Sequence, residues 1–153
     1  MEKIASQITH WIKTYAENAR VKGLVIGVSG GVDSAVVSTL CARTGLPTLC
    51  LEMPIHQAAT HVSRSQEHIN FLRQHFANVT ALSVDLTPTF DTLVAALPPT
   101  EASTREMALA NTRARLRMTT LYYFAGLEGR LVVGTGNKIE DFGVGFFTKY
   151  GDG

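Results

Sequence analysis

The feature that most constrains the fold of this chain is a pair of glycines, Gly30 and Gly31, between two apolar segments. The preceding residues 24–29 have the pattern of a short buried strand, and a helical pattern begins at Asp33 and continues to about residue 43. Glycine allows a tight backbone turn and a close approach to a ligand. The unpaired N–H groups and the positive dipole end of the helix favour an anion at this turn. The sequence therefore predicts a turn that binds the phosphate of a nucleotide.

The spacing of these residues excludes two common phosphate-binding loops. The chain has no G-x-x-x-x-G-K-[ST] pattern, which excludes a P-loop with its lysine, and no G-x-G-x-x-G dinucleotide pattern. The alternative interpretation is an ordinary glycine turn before a helix whose first turn contains Asp33 and Ser34. We favour the phosphate-binding turn because a preceding strand and a following helix are the context that it requires.

Strand and helix patterns alternate along the chain. Apolar residues at helical spacing, among them Ile4, Ile8, Trp11, Ile12 and Tyr15, predict an amphipathic first helix. The predicted helices cover residues 2–19, 33–43, 61–76, 88–96 and 103–126, and the predicted strands cover residues 24–29, 48–53, 79–84 and 130–133. A capping-box pattern, residues 103–106, marks the start of the last helix. This alternation predicts an α/β fold, a doubly wound parallel sheet with helices on both faces, whose ligands bind at the carboxyl edge.

The composition is that of one globular domain over residues 1–153, with 45% hydrophobic residues. The 14 basic and 13 acidic residues give a net charge of +1, which argues against a nucleic-acid partner. The apolar runs are too short to span a membrane and no signal peptide is evident, so we expect a cytoplasmic location. Cys41 and Cys50 are expected to be buried and inert. The seven-residue repeat of His61, His68 and His75 predicts a solvated stripe rather than a metal site.

A second glycine-rich turn, residues 134–140, follows the last predicted strand. It contains Thr135 and Glu140, and it should lie at the same sheet edge as Asp33. Mg²⁺ is typically held by one or two carboxylates together with substrate phosphates. The two carboxylates therefore predict a magnesium site beside the phosphate turn. The alternative is that Glu140 is a solvated loop residue and that Thr135 only forms the turn.

Two further segments carry charged side chains. In the long helix, Arg113 and Arg117 should share a face, whereas Arg115 points away, so the three cannot form one anion clamp. One or two of them are expected to bind phosphate or a partner subunit, and the alternative is a solvated basic face.

Residues 143–153 combine glycines, aromatic residues, Lys149 and Asp152, which predicts a closing loop with polar recognition groups. The alternative for this segment is a flexible terminus.

Residues 29–34, 111–118, 134–140 and 145–153 occur together in this order, and the combination resembles the NAD synthetases of the ammonia-dependent type. These enzymes are pyrophosphate-loop ATP pyrophosphatases with an adenine-nucleotide alpha-hydrolase-like fold. The resemblance implies the amidation of deamido-NAD to NAD through an adenylated intermediate, with ammonia as nitrogen donor and release of AMP and pyrophosphate. It also implies a homodimer with the dinucleotide site at the subunit interface.

The resemblance assigns roles to particular residues. It implies Asp33 and Lys149 as catalytic residues, and a magnesium ion held by Asp33 and Glu140. It implies that Thr135 contacts ATP, and that deamido-NAD is bound by Arg115, Lys149 and Asp152. The residues that would line the ATP phosphates are Gly27, Val28, Ser29, Gly30, Gly31, Val32, Asp33 and Ser34.

The chain also departs from the family pattern. Family members continue beyond the position of residue 153 with further substrate-binding residues, so we expect this domain to lack its C-terminal part. No glutaminase domain precedes it, which implies free ammonia or ammonia from another chain. Two alternatives stay open: another pyrophosphate-loop enzyme, tRNA-modifying or GMP-synthetase-like, and an inactive nucleotide-binding fragment. The near-neutral charge argues against the tRNA-modifying alternative.

Overall fold

The computed structural model describes residues 1–57 and 59–152, with the backbone alone for residues 59–62. Its strands are β1 (Leu24–Gly27), β2 (Thr48–Glu52), β3 (Val79–Ser83) and β4 (Leu131–Val133). Its helices are α1 (Glu2–Asn18), α2 (Val32–Arg43), α3 (Ala59–His75), α4 (Thr87–Ala96) and α5 (Arg105–Glu128), followed by a π-helical segment, Ile139–Val144. None of the described helices is long and apolar enough to cross a membrane.

The four strands pair in parallel, in the order β3-β2-β1-β4, and helices cover both faces of the sheet. Leu24 and Ile26 of β1 pack in one core cluster with side chains of α1, α2 and α3. Val25 packs in a second cluster with side chains of α4 and α5. Successive residues of a strand point to opposite faces, so a strand buried on both faces is apolar throughout. The predicted doubly wound α/β fold is confirmed.

The strand order changes direction beside β1. The chain passes outward from β1 to β2 and β3, and β4 returns to the free side of β1. In open parallel sheets, the loops at the carboxyl ends of two such strands diverge and leave a crevice for a ligand. The two glycine-rich turns, which follow β1 and β4, lie at the two sides of this crevice.

Two details of the sequence prediction were wrong. Helix α5 begins at Arg105 after Thr104, and no side chain caps its first turn. Ser103 therefore lies outside the helix, and Glu106 is one position too early to complete the predicted capping box. Strand β1 ends at Gly27, two residues earlier than predicted, because Ser29 turns inward to bond with Ser34.

The first helix is apolar on two sides. Ile12 and Ala16 point into the core, whereas four of the apolar residues that predicted this helix are exposed. This exposed α1 stripe consists of Ile4, Ile8, Trp11 and Tyr15. The amphipathic pattern thus identified the helix correctly, but most of the large side chains in the pattern face outward.

The cysteines and histidines follow the sequence expectation in part. Burial raises the pKa of the Cys41 thiol to about 12, with a smaller contribution from Cys50, and raises that of Cys50 to about 11. Both thiols are buried, as predicted. His68 departs from the solvated stripe, because its Nε2 lies 2.8 Å from the buried Ser38 hydroxyl and burial lowers its pKa. The side chain of His61 lies outside the described residues.

Candidate active site

The turn after β1 is closed by its own side chains. Gly30 has φ +82°, a conformation that is unstrained only for glycine. The Ser34 hydroxyl donates to the Gly31 carbonyl at 3.0 Å and accepts the Ser29 N–H at 3.2 Å. Its oxygen also lies 3.1 Å from the Ser29 hydroxyl, and Ser34 is only 3% exposed. Ser34 therefore shapes this turn from the inside.

The same turn leaves backbone donors open at the start of α2. Gly31 precedes the helix in an extended conformation, and no side chain caps the first turn. Within the described residues, the N–H groups of Val32, Asp33 and Ser34 have no protein acceptor. Such N–H groups, together with the helix dipole, bind phosphate readily.

The turn after β4 carries the second acidic group. The Asn137 side-chain oxygen accepts the N–H groups of Ile139 and Glu140 at 3.1 and 3.0 Å, which starts the π-helical segment. Short π-helical segments occur frequently at functional sites. Asn137 was not among the predicted site residues, although an Asn before a helix start is a recognisable capping signal.

A small cavity of about 150 Å³ joins the two turns. Asp33 and Glu140 both line it, together with Ser29 and Thr135, so the structure brings these predicted residues together. Two more carboxylates, Asp141 and Asp152, also line it, and only Asp152 was among the predicted site residues. Hydroxyl and carboxylate oxygens are the ligands that Mg²⁺ prefers. The donor set therefore fits magnesium.

The carboxylates do not form a metal centre by themselves. In residues 1–57 and 59–152, no three His, Cys, Asp or Glu side chains are arranged to hold a metal ion. A magnesium ion bound by Asp33 and Glu140 would therefore complete its coordination with water and phosphate oxygens.

A larger cleft of about 750 Å³ adjoins the small cavity and shares Ser29, Thr135 and Asp152 with it. Its walls come from the ends of β1, β2 and β4, from α5 and from the tail. Several wall residues were not predicted, because in the sequence they belong to ordinary apolar or helical patterns. These are Met53, Gln57, Leu121, Tyr122 and Val132.

The arginines of α5 have different surroundings. Arg117 lines the large cleft and donates from Nε to the Met53 carbonyl at 3.0 Å. Burial and then repulsion from Arg113 lower the pKa of Arg117, which has no carboxylate within ion-pair distance in the described chain. Arg113 lies over the Phe90 ring, 5.3 Å from its centroid. Arg117 is thus the arginine that faces the cleft.

Arg115 and Lys149 lie outside both cavities of the single chain. Arg115 is exposed, and its Nε donates to the Lys149 carbonyl at 3.2 Å. The Lys149 ammonium lies over the Tyr150 ring, 4.9 Å from the centroid. Lys149 belongs to the same tail turn as Asp152, which does line the cavities. Their predicted roles in substrate binding stay predictions.

Comparison with known proteins identifies the family. The family model described as NAD synthase matches residues 4–153. The chain is 39% identical over 151 residues to an NH(3)-dependent NAD(+) synthetase of Finegoldia magna, covering 98% of this chain and 59% of the relative. It is 36% identical over 159 residues to the enzyme of that name from Carboxydothermus hydrogenoformans, covering 99% and 61%.

Solved structures agree with the sequence relatives. NMN synthetase from Francisella tularensis matches with a TM-score of 0.85 and 32% identity over 99% of this chain and 60% of that one. The NH3-dependent NAD synthetase from Campylobacter jejuni, in complex with the nitrate ion, matches with a TM-score of 0.85 and 30% identity over 99% and 62%. This chain therefore spans about three fifths of the length of the relatives it matches.

Proposed function

This chain belongs to the NAD synthase family, and we propose that it catalyses the ATP-dependent amidation of deamido-NAD to NAD with ammonia. The names of its relatives support this reaction, at identities of 39% and 36%. The reaction is a proposal for this chain because the alignments cover only 59% and 61% of those relatives.

The observation that carries the proposal is the junction of two loops in one small cavity. The open N–H groups of Val32, Asp33 and Ser34 lie at one side, and Glu140 follows the turn at the other side. Phosphate groups need backbone donors and a counter-ion to offset their charge. Magnesium held by Asp33 and Glu140 would supply that positive charge beside the phosphates.

The chemistry has two steps. A deamido-NAD carboxylate oxygen attacks the α-phosphorus of ATP, and the bond from that phosphorus to pyrophosphate breaks. Ammonia then attacks the activated carbonyl carbon, the bond to AMP breaks and a proton is lost. A carboxylate is a poor acyl donor, and adenylation turns its oxygen into a good leaving group. In this account, the N–H groups at the start of α2 stabilise the negative charge that develops on the phosphates.

The larger cleft suits the nucleoside part of ATP. Met53, Leu121 and Val132 give it an apolar wall, whereas Arg117 and Gln57 add polar groups. Small-molecule sites usually combine a mostly apolar lining with a few convergent polar groups. The cleft continues into the small cavity at Ser29, as a nucleoside attached to its phosphates requires.

A homodimer explains why Arg115 and Lys149 lie outside the cavities of one chain. We propose that they bind deamido-NAD at the interface between two subunits. Exposed apolar surfaces that a second copy would cover include the α1 stripe and Tyr122, Tyr123 and Leu127 of α5.

Trp11→Glu should weaken self-association by at least tenfold in sedimentation equilibrium, because a charge would be buried in an apolar contact. His10→Glu, on another side of α1, should leave it unchanged, and equal effects would contradict this interface.

Calorimetry with defined ligands tests the proposed function. The chain should bind Mg·ATP and deamido-NAD, and Glu140→Gln should weaken the binding of Mg·ATP. The exposed Glu101 provides the control, since Glu101→Gln removes the same charge at a residue that does not line the cavity. The similarity to an NMN synthetase makes nicotinic acid mononucleotide a necessary second acceptor in these titrations.

The outcomes separate the candidate functions. Binding of both ATP and deamido-NAD supports the proposal. Binding of ATP and the mononucleotide alone would indicate the amidation of the smaller acceptor. Binding of ATP without either acceptor would favour another pyrophosphate-loop enzyme or an inactive nucleotide-binding domain. No binding of ATP would contradict all of these functions.

A further inference from the structure

The tail turn, residues 148–152, is fastened to one side of α5 by hydrogen bonds. The buried Thr148 hydroxyl donates to the Asn111 side-chain oxygen at 2.9 Å. Arg115, one helical turn further along α5, donates to the Lys149 carbonyl at 3.2 Å. Asn111 and Arg115 are four residues apart, so they lie on the same side of the helix. Two side chains of one helix face therefore hold two adjacent residues of the tail, Thr148 by its side chain and Lys149 by its carbonyl.

Close packing also limits the size of the residues at positions 114 and 151. A Cβ added to Gly151 would lie 3.0 Å from the Ala114 Cβ and 2.9 Å from the Thr148 Cγ2. A larger residue at position 151 or 114 would push the turn away from the helix. Hydrogen bonds and small residues thus combine to bring this turn into direct contact with α5.

Hydrogen bonds within the tail turn hold the side chain of Asp152 in position. The Thr148 N–H donates to Asp152 Oδ1 at 2.5 Å, and the Gly151 N–H donates to the Thr148 carbonyl at 2.9 Å. Asp152 lines both the small cavity and the larger cleft. It stands there with Asp33, Glu140 and Asp141, and charges of the same sign repel one another. A carboxylate beside three others keeps its position only when other contacts hold it.

We propose that Asn111 and Thr148 are positioning residues, which dock the tail turn on α5 and hold Asp152 at the junction of the two cavities. The inference rests on the proposed function for the identity of the ligands that Asp152 meets. The docking itself requires no ligand, so it can be tested separately.

The ligand-free test is tryptic cleavage after Lys149, followed by mass spectrometry of the full chain. Trypsin needs a locally opened substrate, so the cleavage rate reports undocking of the turn. Thr148→Val keeps the shape of the side chain but loses the hydroxyl, and it should speed this cleavage by about fivefold, the effect of one hydrogen bond. Thr148→Ser should restore the original rate. Thr112→Val is the matched control, because the Thr112 hydroxyl bonds only within α5.

The ligand-dependent test is a double-mutant cycle on the affinity for deamido-NAD. If Thr148 acts through Asp152, Thr148→Val should weaken binding about fivefold in the original chain and have little further effect beside Asp152→Asn. Additive losses, or no loss in either background, would overturn the positioning role. Cleavage rates that Thr148→Val leaves unchanged would overturn the docking. Failure of the original chain to bind deamido-NAD would count against the proposed function, while the cleavage rates would still decide the docking.

Discussion

The two sides of the candidate site are held in place by different means. The turn after β1 is bonded to itself through Ser34, which is buried within it. The segment after β4 exposes large apolar side chains, with Phe142 85% and Phe146 71% exposed, and its far end is fastened to α5. The first region is thus formed by neighbours in sequence. The second depends on a distant helix and, in our proposal, on a second subunit.

The largest expected effect on activity comes from a substitution in the turn after β1. Asp33→Asn removes one of the two proposed magnesium ligands and should lower the rate of pyrophosphate release by about a thousandfold, as expected when a charge-stabilising group is lost. The fold should persist, because Asp33 is exposed. Pyrophosphate release is measured with a coupled phosphate assay. A rate near that of the Glu101→Gln control would refute the metal assignment.

A matched pair of glycine substitutions compares the turn after β1 with the segment after β4. Gly30 has φ +82° and Gly145 has φ +72°, so alanine should cost each about 1 kcal/mol of unfolding free energy. Only Gly30→Ala should also weaken the binding of Mg·ATP, by about tenfold, because it redirects N–H groups of the phosphate turn. Denaturant unfolding and calorimetry measure the two effects. Equal losses of ATP affinity in both variants would remove the distinction between the regions.

Substitution of Lys149 tests the segment after β4, whose far end is bonded to α5. Lys149→Ala should weaken deamido-NAD binding about tenfold and ATP binding much less, because a lysine on the tail turn is proposed to meet the dinucleotide. The Lys149 carbonyl would still accept from Arg115, so docking of the turn should survive. Calorimetry with each ligand gives the comparison. Equal losses for the two ligands would contradict the assigned role.

The change with the smallest expected effect on ligand binding concerns the core between α2 and the sheet. Cys41 of α2 and Cys50 of β2 have pKa values raised by burial to about 12 and about 11, from an ordinary value near 9. The folded chain therefore keeps protons that the unfolded chain loses above pH 9. The thiols should add no pH dependence to the free energy of unfolding below pH 9, and they should lower it between pH 9 and 11, by up to about 1.4 kcal/mol per pH unit for each thiol.

A double variant, Cys41→Ala with Cys50→Ala, isolates this contribution. Its unfolding free energy, measured in urea from pH 8 to 11, should fall less steeply with pH than that of the original chain. If the unfolding free energies of the two proteins changed equally with pH, the thiols would be less deeply buried than they are in the structure.

The sequence predicted the parts of the site that local signals encode. The glycine turn after a strand, the strand–helix alternation and the second turn with Glu140 depend on neighbouring residues, and they identified the α/β fold and the crevice beside β1. Parallel strands bring their carboxyl ends to one edge, so Asp33 and Glu140 could be expected to meet.

The sequence could not predict features that depend on tertiary packing. Nothing in the pattern of α5 distinguishes Arg117, which faces the cleft, from Arg113, which covers Phe90. The contact between Thr148 and Asn111 joins residues 37 positions apart, and no local rule encodes it. The helical periodicity of α1 likewise could not tell the core face from the exposed stripe, because both are apolar.

The most direct test of the central claim is the exchange of labelled pyrophosphate into ATP. If the glycine turn holds the phosphates while the deamido-NAD carboxylate attacks the α-phosphorus, the first step is reversible without ammonia. The account predicts exchange that requires Mg²⁺ and deamido-NAD, needs no ammonia and disappears in Asp33→Asn. Tight binding of both nucleotides without exchange, or cleavage of ATP to ADP and phosphate, would contradict it.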